Sequence, residues 1–245
     1  MDRTRLAVIV PAYDEESRIG PTLARMREYF LSQDYSWTIV VVSDGSRDGT
    51  VAAVEAAAKD EPRITVVDSR PNRGKGFVVR KGMLETDADL LLFSDADLAT
   101  PIEEVEKLLA ALPAADVAIG SRPLKESSLE IRQPWYREQL GRLFNKAVQL
   151  MAIKGVYDTQ CGFKLFKADV AKEVFSRCRL DGFSFDFEAL MIARDLGYVI
   201  AEVPVRWRHQ EGSKVVLMRD GPRMLRDLVK LRLAGKNGRL EKREA

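Results

Sequence analysis

The sequence predicts an α/β fold class: a mainly parallel central sheet with helices on both faces and amphipathic helices toward the C-terminus. Short, near-continuous apolar runs recur along the first half of the chain, helical patterns separate them, and each run ends in a polar segment. A strand with one wet face alternates in polarity. A continuous apolar run must be covered on both sides, as crossover helices cover a parallel sheet.

Each element can be justified in turn. Leu6-Ala7-Val8-Ile9-Val10 is the first strand and ends in Pro11-Ala12-Tyr13-Asp14-Glu15-Glu16. The helix from Ile19 to Leu31 follows, with Leu23, Met26, Phe30 and Leu31 at helical spacing. Trp37 to Val42 is the second strand and ends in Ser43-Asp44-Gly45-Ser46-Arg47-Asp48-Gly49, before an Ala-rich helix from Thr50 to Lys59. Ile64-Thr65-Val66-Val67 is a third strand, and a helix begins near Gly74-Lys75-Gly76. Leu90 to Phe93 is the fourth and ends in Asp95-Ala96-Asp97. Thr100-Pro101-Ile102-Glu103 then reads as a capping box with Pro at the first helical position. A further strand is expected at Asp116-Val117-Ala118-Ile119.

In such sheets ligands bind at the carboxyl edge, so the polar strand ends should share one site. Carboxylates at i and i+2 on a strand end, as in Asp95 and Asp97, suit a hard divalent cation that takes its other ligands from water and substrate phosphates.

Composition limits the alternatives. The 245 residues suit one domain, and a net charge of +2 gives no argument for nucleic acid. No apolar run is long enough to span a bilayer, and no signal-peptide pattern opens the sequence. Cys161 and Cys178 lack metal-ligand spacing and read as buried thiols in a reducing compartment. The segment after the first strand has no dinucleotide-binding glycine fingerprint and no Gly-rich nucleotidyltransferase loop, and Gly74-Lys75-Gly76 is no Walker loop. An aspartate-nucleophile phosphatase would place its Asp-x-Asp after the first strand, not the fourth.

Pro11 to Glu16, Ser43-Asp44-Gly45-Ser46, Asn72-Arg73-Gly74-Lys75-Gly76 and Asp95-Ala96-Asp97 together resemble the nucleotide-sugar half of family 2 glycosyltransferases, which have the GT-A fold. Gly120-Ser121-Arg122, Arg132-Gln133-Pro134-Trp135-Tyr136-Arg137, Asp158 to Lys164 and Gly212-Ser213-Lys214 resemble the dolichyl-phosphate sugar synthases, the glucosyltransferases more than the mannose enzymes. The resemblance covers residues 5 to 232. It implies one GT-A domain over 1–232, with a nucleotide-sugar half at 1–112 and an acceptor half at 113–232, followed by a basic, flexible tail at 233–245.

The implied reaction is inverting, metal-dependent transfer of glucose from UDP-glucose to a polyprenyl phosphate. Alternatives are GDP-mannose as donor, a soluble acceptor, or a sugar-nucleotide-binding protein without catalysis. Asp97 and Asp95 would hold Mg²⁺ or Mn²⁺, with His209 as a possible further ligand. Asp44 would accept from the nucleobase, Asp14 and Glu15 would border base or ribose, and Lys75 would approach the diphosphate. Pro11, Tyr13, Gly45 and Ala96 complete the donor set. Arg122, Arg137, Arg142, Lys164, Arg208, Ser213 and Lys214 would bind the acceptor phosphate. Asp158 would orient that phosphate or act as a weak base, while Asp186 and Glu188 would support the sugar site. The chain departs from the family pattern at Asp14, where Asn is usual, at Ser43, where an acid is frequent, and at Ala99, where mannose-type relatives place Gln.

Two amphipathic segments bear on a lipid acceptor. Leu143, Phe144, Ala147, Val148 and Met151 repeat at helical spacing after Trp135. Met224, Leu225, Leu228, Val229 and Leu231 do likewise beside Arg223, Arg226, Lys230 and Arg232. Peripheral association at the cytoplasmic face of a membrane, or a membrane-anchored partner, is the expected arrangement.

Overall fold

A computed structural model of the chain describes residues 4–124, 127–131, 146, 148–149, 153–210, 214 and 217–241. Strands β1 (Arg5–Ala12), β2 (Ser36–Ser43), β3 (Ile64–Asp68) and β4 (Leu90–Ser94) alternate with helices α1 (Glu16–Phe30), α2 (Thr50–Asp60) and α3 (Lys75–Glu85). A 3₁₀ turn and α4 (Val105–Ala111) lead to β5 (Val117–Ser121) and β6 (Ser128–Ile131). The remainder comprises β7 (Phe163–Lys167), α5 (Ala168–Phe175), α6 (Phe185–Asp195), β8 (Ile200–Pro204), β9 (Arg206–Arg208) and α7 (Leu217–Leu240).

The central sheet has seven strands in the order β3-β2-β1-β4-β7-β5-β8. β1, β2, β3 and β4 pair in parallel, as do β5 and β8, while β7 runs antiparallel between β4 and β5. β6 and β9 form a separate parallel pair. The continuous apolar runs reflect cores on both faces. Ile9, Leu91 and Phe93 pack with α3, α5, α6 and α7, whereas Val8, Val10, Leu92 and Ile39 pack with α1, α2 and α4.

The reversal of β7 places the second half of the site. β7 begins where β4 ends: Phe163 is in register with Ser94, and the Asp95 N–H donates to the Gly162 carbonyl (3.0 Å). A Cβ on Gly162 would lie 1.9 Å from an Asp95 carboxylate oxygen, so only glycine allows this approach. The segment from Asp158 is thereby delivered to the same sheet edge as Asp95.

Two local expectations fail. Thr100 forms no capping box: Pro101 precedes a 3₁₀ turn without a side-chain cap, and the Thr100 hydroxyl lies 3.8 Å from Cys161 Sγ. The basic tail is not frayed at its start. α7 kinks at Gly235 (φ 66°) and continues to Leu240, where buried Arg239 pairs with Asp195 (2.6 Å) and donates to the Leu231 carbonyl.

Candidate active site

The carboxyl edge of the sheet opens into a cleft of about 680 Å³. The ends of β1, β2 and β4 supply Pro11, Tyr13, Glu15, Asp44, Asp95, Ala96 and Asp97 to its lining, and the start of α3 supplies Lys75. These are the expected donor residues, minus Asp14 and Gly45. Asp14 is a turn residue at φ 49°, whose carboxylate accepts the Arg47 N–H (2.8 Å). Gly45 takes φ 68° in the turn after β2.

Asp44 organises the neighbouring loop. Its two carboxylate oxygens accept the N–H groups of Arg73 and Gly74, both at 2.8 Å, and Asn72 Nδ2 donates to its carbonyl (3.0 Å). Burial raises the Asp44 pKa and these N–H bonds oppose the rise. The loop is clasped from its far side too. Gly74 sits at φ 116°, and a Cβ there would meet the Asp181 carbonyl oxygen at 2.4 Å. Asp44 therefore sets the position from which Lys75 reaches into the cleft.

Lys75 Nζ lies 2.6 Å from Asp95 Oδ1, so it is a partner of the acidic strand end and not a solvated lysine at a helix start. Burial works against its charge, but Asp95, Asp186 and Asp97 outweigh that and raise its pKa. Asp97 accepts the Ala99 N–H (3.0 Å). Burial and the charge of Asp95 raise the Asp97 pKa. Two neighbouring hard oxygen donors with one lysine between them fit a divalent cation, which would relieve the repulsion that perturbs Asp97.

His209 does not complete a cation site. Arg208 N–H donates to the Ala99 carbonyl (2.8 Å), which brings β9 to the turn after Asp97. Yet among the described residues no three His, Cys, Asp or Glu side chains are grouped to hold a metal, and the His209 ring neighbours Trp207 (centroids 6.0 Å). Among the described residues, Asp95 and Asp97 are the two carboxylates at the end of β4 that line the cleft.

The expected acceptor cations divide three ways. Arg137, Arg142 and Ser213 lie outside the described residues, as does most of the Trp135–Met151 segment. Arg122 forms a two-pronged ion pair with fully buried Asp158 (2.6 and 2.8 Å) and also donates its backbone N–H to that carboxylate. Burial pushes the Asp158 pKa up, but Arg122 outweighs it and holds the carboxyl below the usual range. Lys164 is a clear correction: it is 2% exposed, bonded to Asp186, and donates to the Cys161 carbonyl (2.6 Å). It sits on an interior strand of the sheet and is not among the described residues that line the cleft. Arg208 is not among the described residues that line the cleft.

Lys214 does line the cleft, but at the donor side, where it donates to the Asp14 carbonyl (2.9 Å). Glu188 is structural: its carboxylate accepts the Arg179 and Leu180 N–H groups (both 2.9 Å), and burial raises its pKa to about 7. Sequence reasoning missed the wall opposite these strand ends. Gly182, Phe183 and Ser184 line it, with Arg219, Asp220, Arg223, Met224, Arg226 and Asp227 from α7. The available signal was the amphipathic pattern from Met224, which had suggested a membrane face.

Residues 7–175 match the model of glycosyl transferase family 2, more than half of the chain. The chain belongs to family 2 of the glycosyltransferases. Its relatives agree. It is 37% identical to a dolichyl-phosphate beta-glucosyltransferase of Drosophila melanogaster, over 91% of this chain and 73% of the relative. It is 34% identical to the protein of that name from Homo sapiens, over 94% of this chain and 75% of the relative. Glucosyl-3-phosphoglycerate synthase from Mycobacterium tuberculosis, solved with Mn²⁺, UDP and glucosyl-3-phosphoglycerate, superposes with a TM-score of 0.69 at 19% identity, covering 96% of this chain and 80% of that one. Mannosyl-3-phosphoglycerate synthase from Rubrobacter xylanophilus gives 0.70 at 17%, covering 99% and 77%. The glycosyltransferase thus has the GT-A fold expected from its sequence.

Proposed function

We propose that this glycosyltransferase moves glucose from UDP-glucose to a polyprenyl phosphate, with inversion and with Mg²⁺ or Mn²⁺ on Asp95 and Asp97. The observation that carries the choice of acceptor is the state of the buried carboxylates in the second half. Asp158 is neutralised by Arg122, and Asp186 by Lys164. A hydroxyl acceptor needs a general base to take its proton. A phosphate monoester, with a second pKa of about 6, arrives largely ionised and needs none. The names borne by the Drosophila and human relatives support the same acceptor, and the UDP and Mn²⁺ bound to the mycobacterial neighbour support the donor and the ion.

In this reading the bond between the sugar's C1 and the UDP oxygen breaks as an acceptor phosphate oxygen attacks C1 from the opposite face. The cation supplies positive charge to the leaving diphosphate. Lys75 adds to it by shifting from Asp95 toward the diphosphate, at the positive end of the α3 dipole. Asp44 keeps that loop in place. Glu15, whose pKa is raised by burial, borders the nucleoside with Tyr13. Arg137, Arg142 and Ser213 remain acceptor candidates on their motif positions alone.

No helix among the described residues is long and apolar enough to cross a membrane. For a lipid acceptor the proposal includes peripheral contact at the cytoplasmic face of a membrane, or an anchored partner, on the strength of the exposed apolar and basic residues of α7. The decisive assay offers UDP-glucose and GDP-mannose to the full chain with a prenyl phosphate, in Mn²⁺, Mg²⁺ and chelator, and detects the glycolipid by mass spectrometry. Glucose transfer from UDP-glucose that chelator abolishes is expected. Preferential mannose transfer, or undiminished transfer in chelator, would refute the donor or the metal.

A further inference from the structure

The helix that lines the cleft carries two arginines that no carboxylate among the described residues neutralises. α7 turns by about 100° per residue, so Arg219, Arg223 and Arg226 share one face. All three line the cleft. Arg219 is paired with Asp220 (2.9 Å). Arg223 and Arg226 have no carboxylate or hydrogen-bond partner among the described residues, although both are directed to a cleft that also holds Asp95 and Asp97. The other cleft cations are engaged: Lys75 with Asp95, Arg73 with Asp181, Arg18 with Glu15, and Lys214 with the Asp14 carbonyl. Two adjacent unmatched guanidinium groups invite an anion, and their planar forks suit phosphate oxygens.

The same helix is apolar beside them. Met224 and Leu228 are buried in the core, which leaves a second stripe: Leu225, Val229 and Leu233 are 46%, 38% and 80% exposed. At the helical spacing, Arg226 lies on the border between this stripe and the cleft face. The juxtaposition has one chemical complement: a phosphate monoester whose ester group is a long apolar chain. The phosphate enters the cleft and the chain leaves along the stripe.

We propose that Arg223 and Arg226 form the acceptor-phosphate subsite, and that the acceptor's chain runs over Leu225, Val229 and Leu233. The proposal rests on the reading of the acceptor as a lipid phosphate, and it moves the phosphate contacts from Lys164 and Arg122, which are committed elsewhere, to α7. An arginine pair that holds the phosphate through some of its oxygens leaves another free to attack C1.

The test uses the full chain, with farnesyl phosphate in detergent micelles as acceptor and UDP-glucose with Mn²⁺ as donor. The doubly substituted Arg223→Gln/Arg226→Gln protein should lose about 100-fold in kcat/KM for farnesyl phosphate, a loss typical of removed charge-assisted contacts. Its UDP affinity, by calorimetry, should stay within about twofold and its melting temperature unchanged, since both residues are exposed. Arg→Lys at both positions should recover part of the loss. Leu225→Ser/Val229→Ser should weaken use of farnesyl phosphate more than of dimethylallyl phosphate, whose chain is too short to reach the stripe.

Wild-type protein is scored first. If it glucosylates neither prenyl phosphate, the functional reading fails and the subsite falls with it. If wild type is active and the Gln variant retains its kcat/KM within about threefold, or loses UDP affinity in parallel, the subsite alone is overturned. If the Ser variant loses only its binding to phosphatidylserine vesicles, the stripe is a bilayer face and the chain path is wrong.

Discussion

Lys164→Met is the sharpest test of how the second half of the site is built. In the structure the Lys164 side chain is 2% exposed and its Asp186 partner 5%. The ammonium also satisfies the Cys161 carbonyl at 2.6 Å. Methionine fills much the same volume, so the cost is mainly that of leaving the carboxylate buried and unpaired, about 3–5 kcal/mol. That is a large share of a typical domain stability of about 5–15 kcal/mol. The penalty should depend on pH. Burial raises the folded-state pKa of Asp186, and without Lys164 it must rise further. An acid whose folded pKa exceeds its unfolded value is most favourable to folding below the unfolded pKa and loses that contribution as pH rises through the folded one. The deficit of Lys164→Met should therefore be smaller at pH 5 than at pH 8. Adding Asp186→Leu should recover most of it, because no charge is then stranded. Urea unfolding at both pH values measures all three proteins. A cost below about 1 kcal/mol, the range of an exposed lysine, with no pH dependence, would refute the buried pair and restore Lys164 as a solvent-facing acceptor ligand.

Three further outcomes follow from the geometry. Asp97→Asn should fold normally and lose transfer, matching the effect of chelator, as circular dichroism and the glycolipid assay would show; retained transfer would remove the metal from the mechanism. Asp44→Ala frees the Arg73 and Gly74 N–H groups and should weaken UDP binding by about tenfold or more in calorimetry, with or without acceptor present; unchanged affinity would show that the loop holds its shape unaided. Glu188, raised to about 7 by burial, should make stability fall as pH climbs from about 5 to 7, and Glu188→Gln should flatten that slope while costing about 1–3 kcal/mol for the N–H left without an acceptor; an unchanged slope in urea titrations would assign the pH dependence elsewhere.

The first half of the site was legible because strand and ligand signals coincide. Val8 to Val10, Val40 to Val42 and Leu91 to Phe93 are too apolar for any face to be wet, so their polar ends had to meet at one edge. The second half was less so. Phe163–Lys167 shows no sign of its direction, since side-chain period is the same in parallel and antiparallel strands, and the reversal of β7 is what buries Lys164. Its partner lies 22 residues on, at the start of a helix, where spacing alone suggests nothing. α7 was ambiguous for another reason. Met224, Leu228 and Leu231 form one apolar stripe and Leu225, Val229 and Leu233 another, and periodicity does not say which packs on the protein. Met224 and Leu228 belong to the core, so lipid contact is tested by substitutions on the exposed stripe and not by removal of the helix.

In the proposed reading a chain of net charge +2 binds two anionic substrates, and the charges of the cleft give a means for it to do so. The polymer is nearly balanced overall, and several charges that line the cleft are matched locally: Lys75 with Asp95, Arg73 with Asp181, Arg18 with Glu15 and Arg219 with Asp220. A matched pair fixes geometry and has little attraction left for a ligand. Among the described lining residues, those without an oppositely charged partner include Asp97 beside the Lys75–Asp95 pair, Arg223 and Arg226 on α7, and Lys214, which is held only by the Asp14 carbonyl. In that reading Asp95 and Asp97 would hold the cation that supplies positive charge to the donor diphosphate. Arg223 and Arg226 would hold an anion that brings its own nucleophilic oxygen. In the proposed reading the donor diphosphate and the acceptor phosphate would be held by different elements, the end of β4 and α7. Specificity for a phosphate acceptor then comes from which charges the fold leaves unmatched, more than from how many it carries.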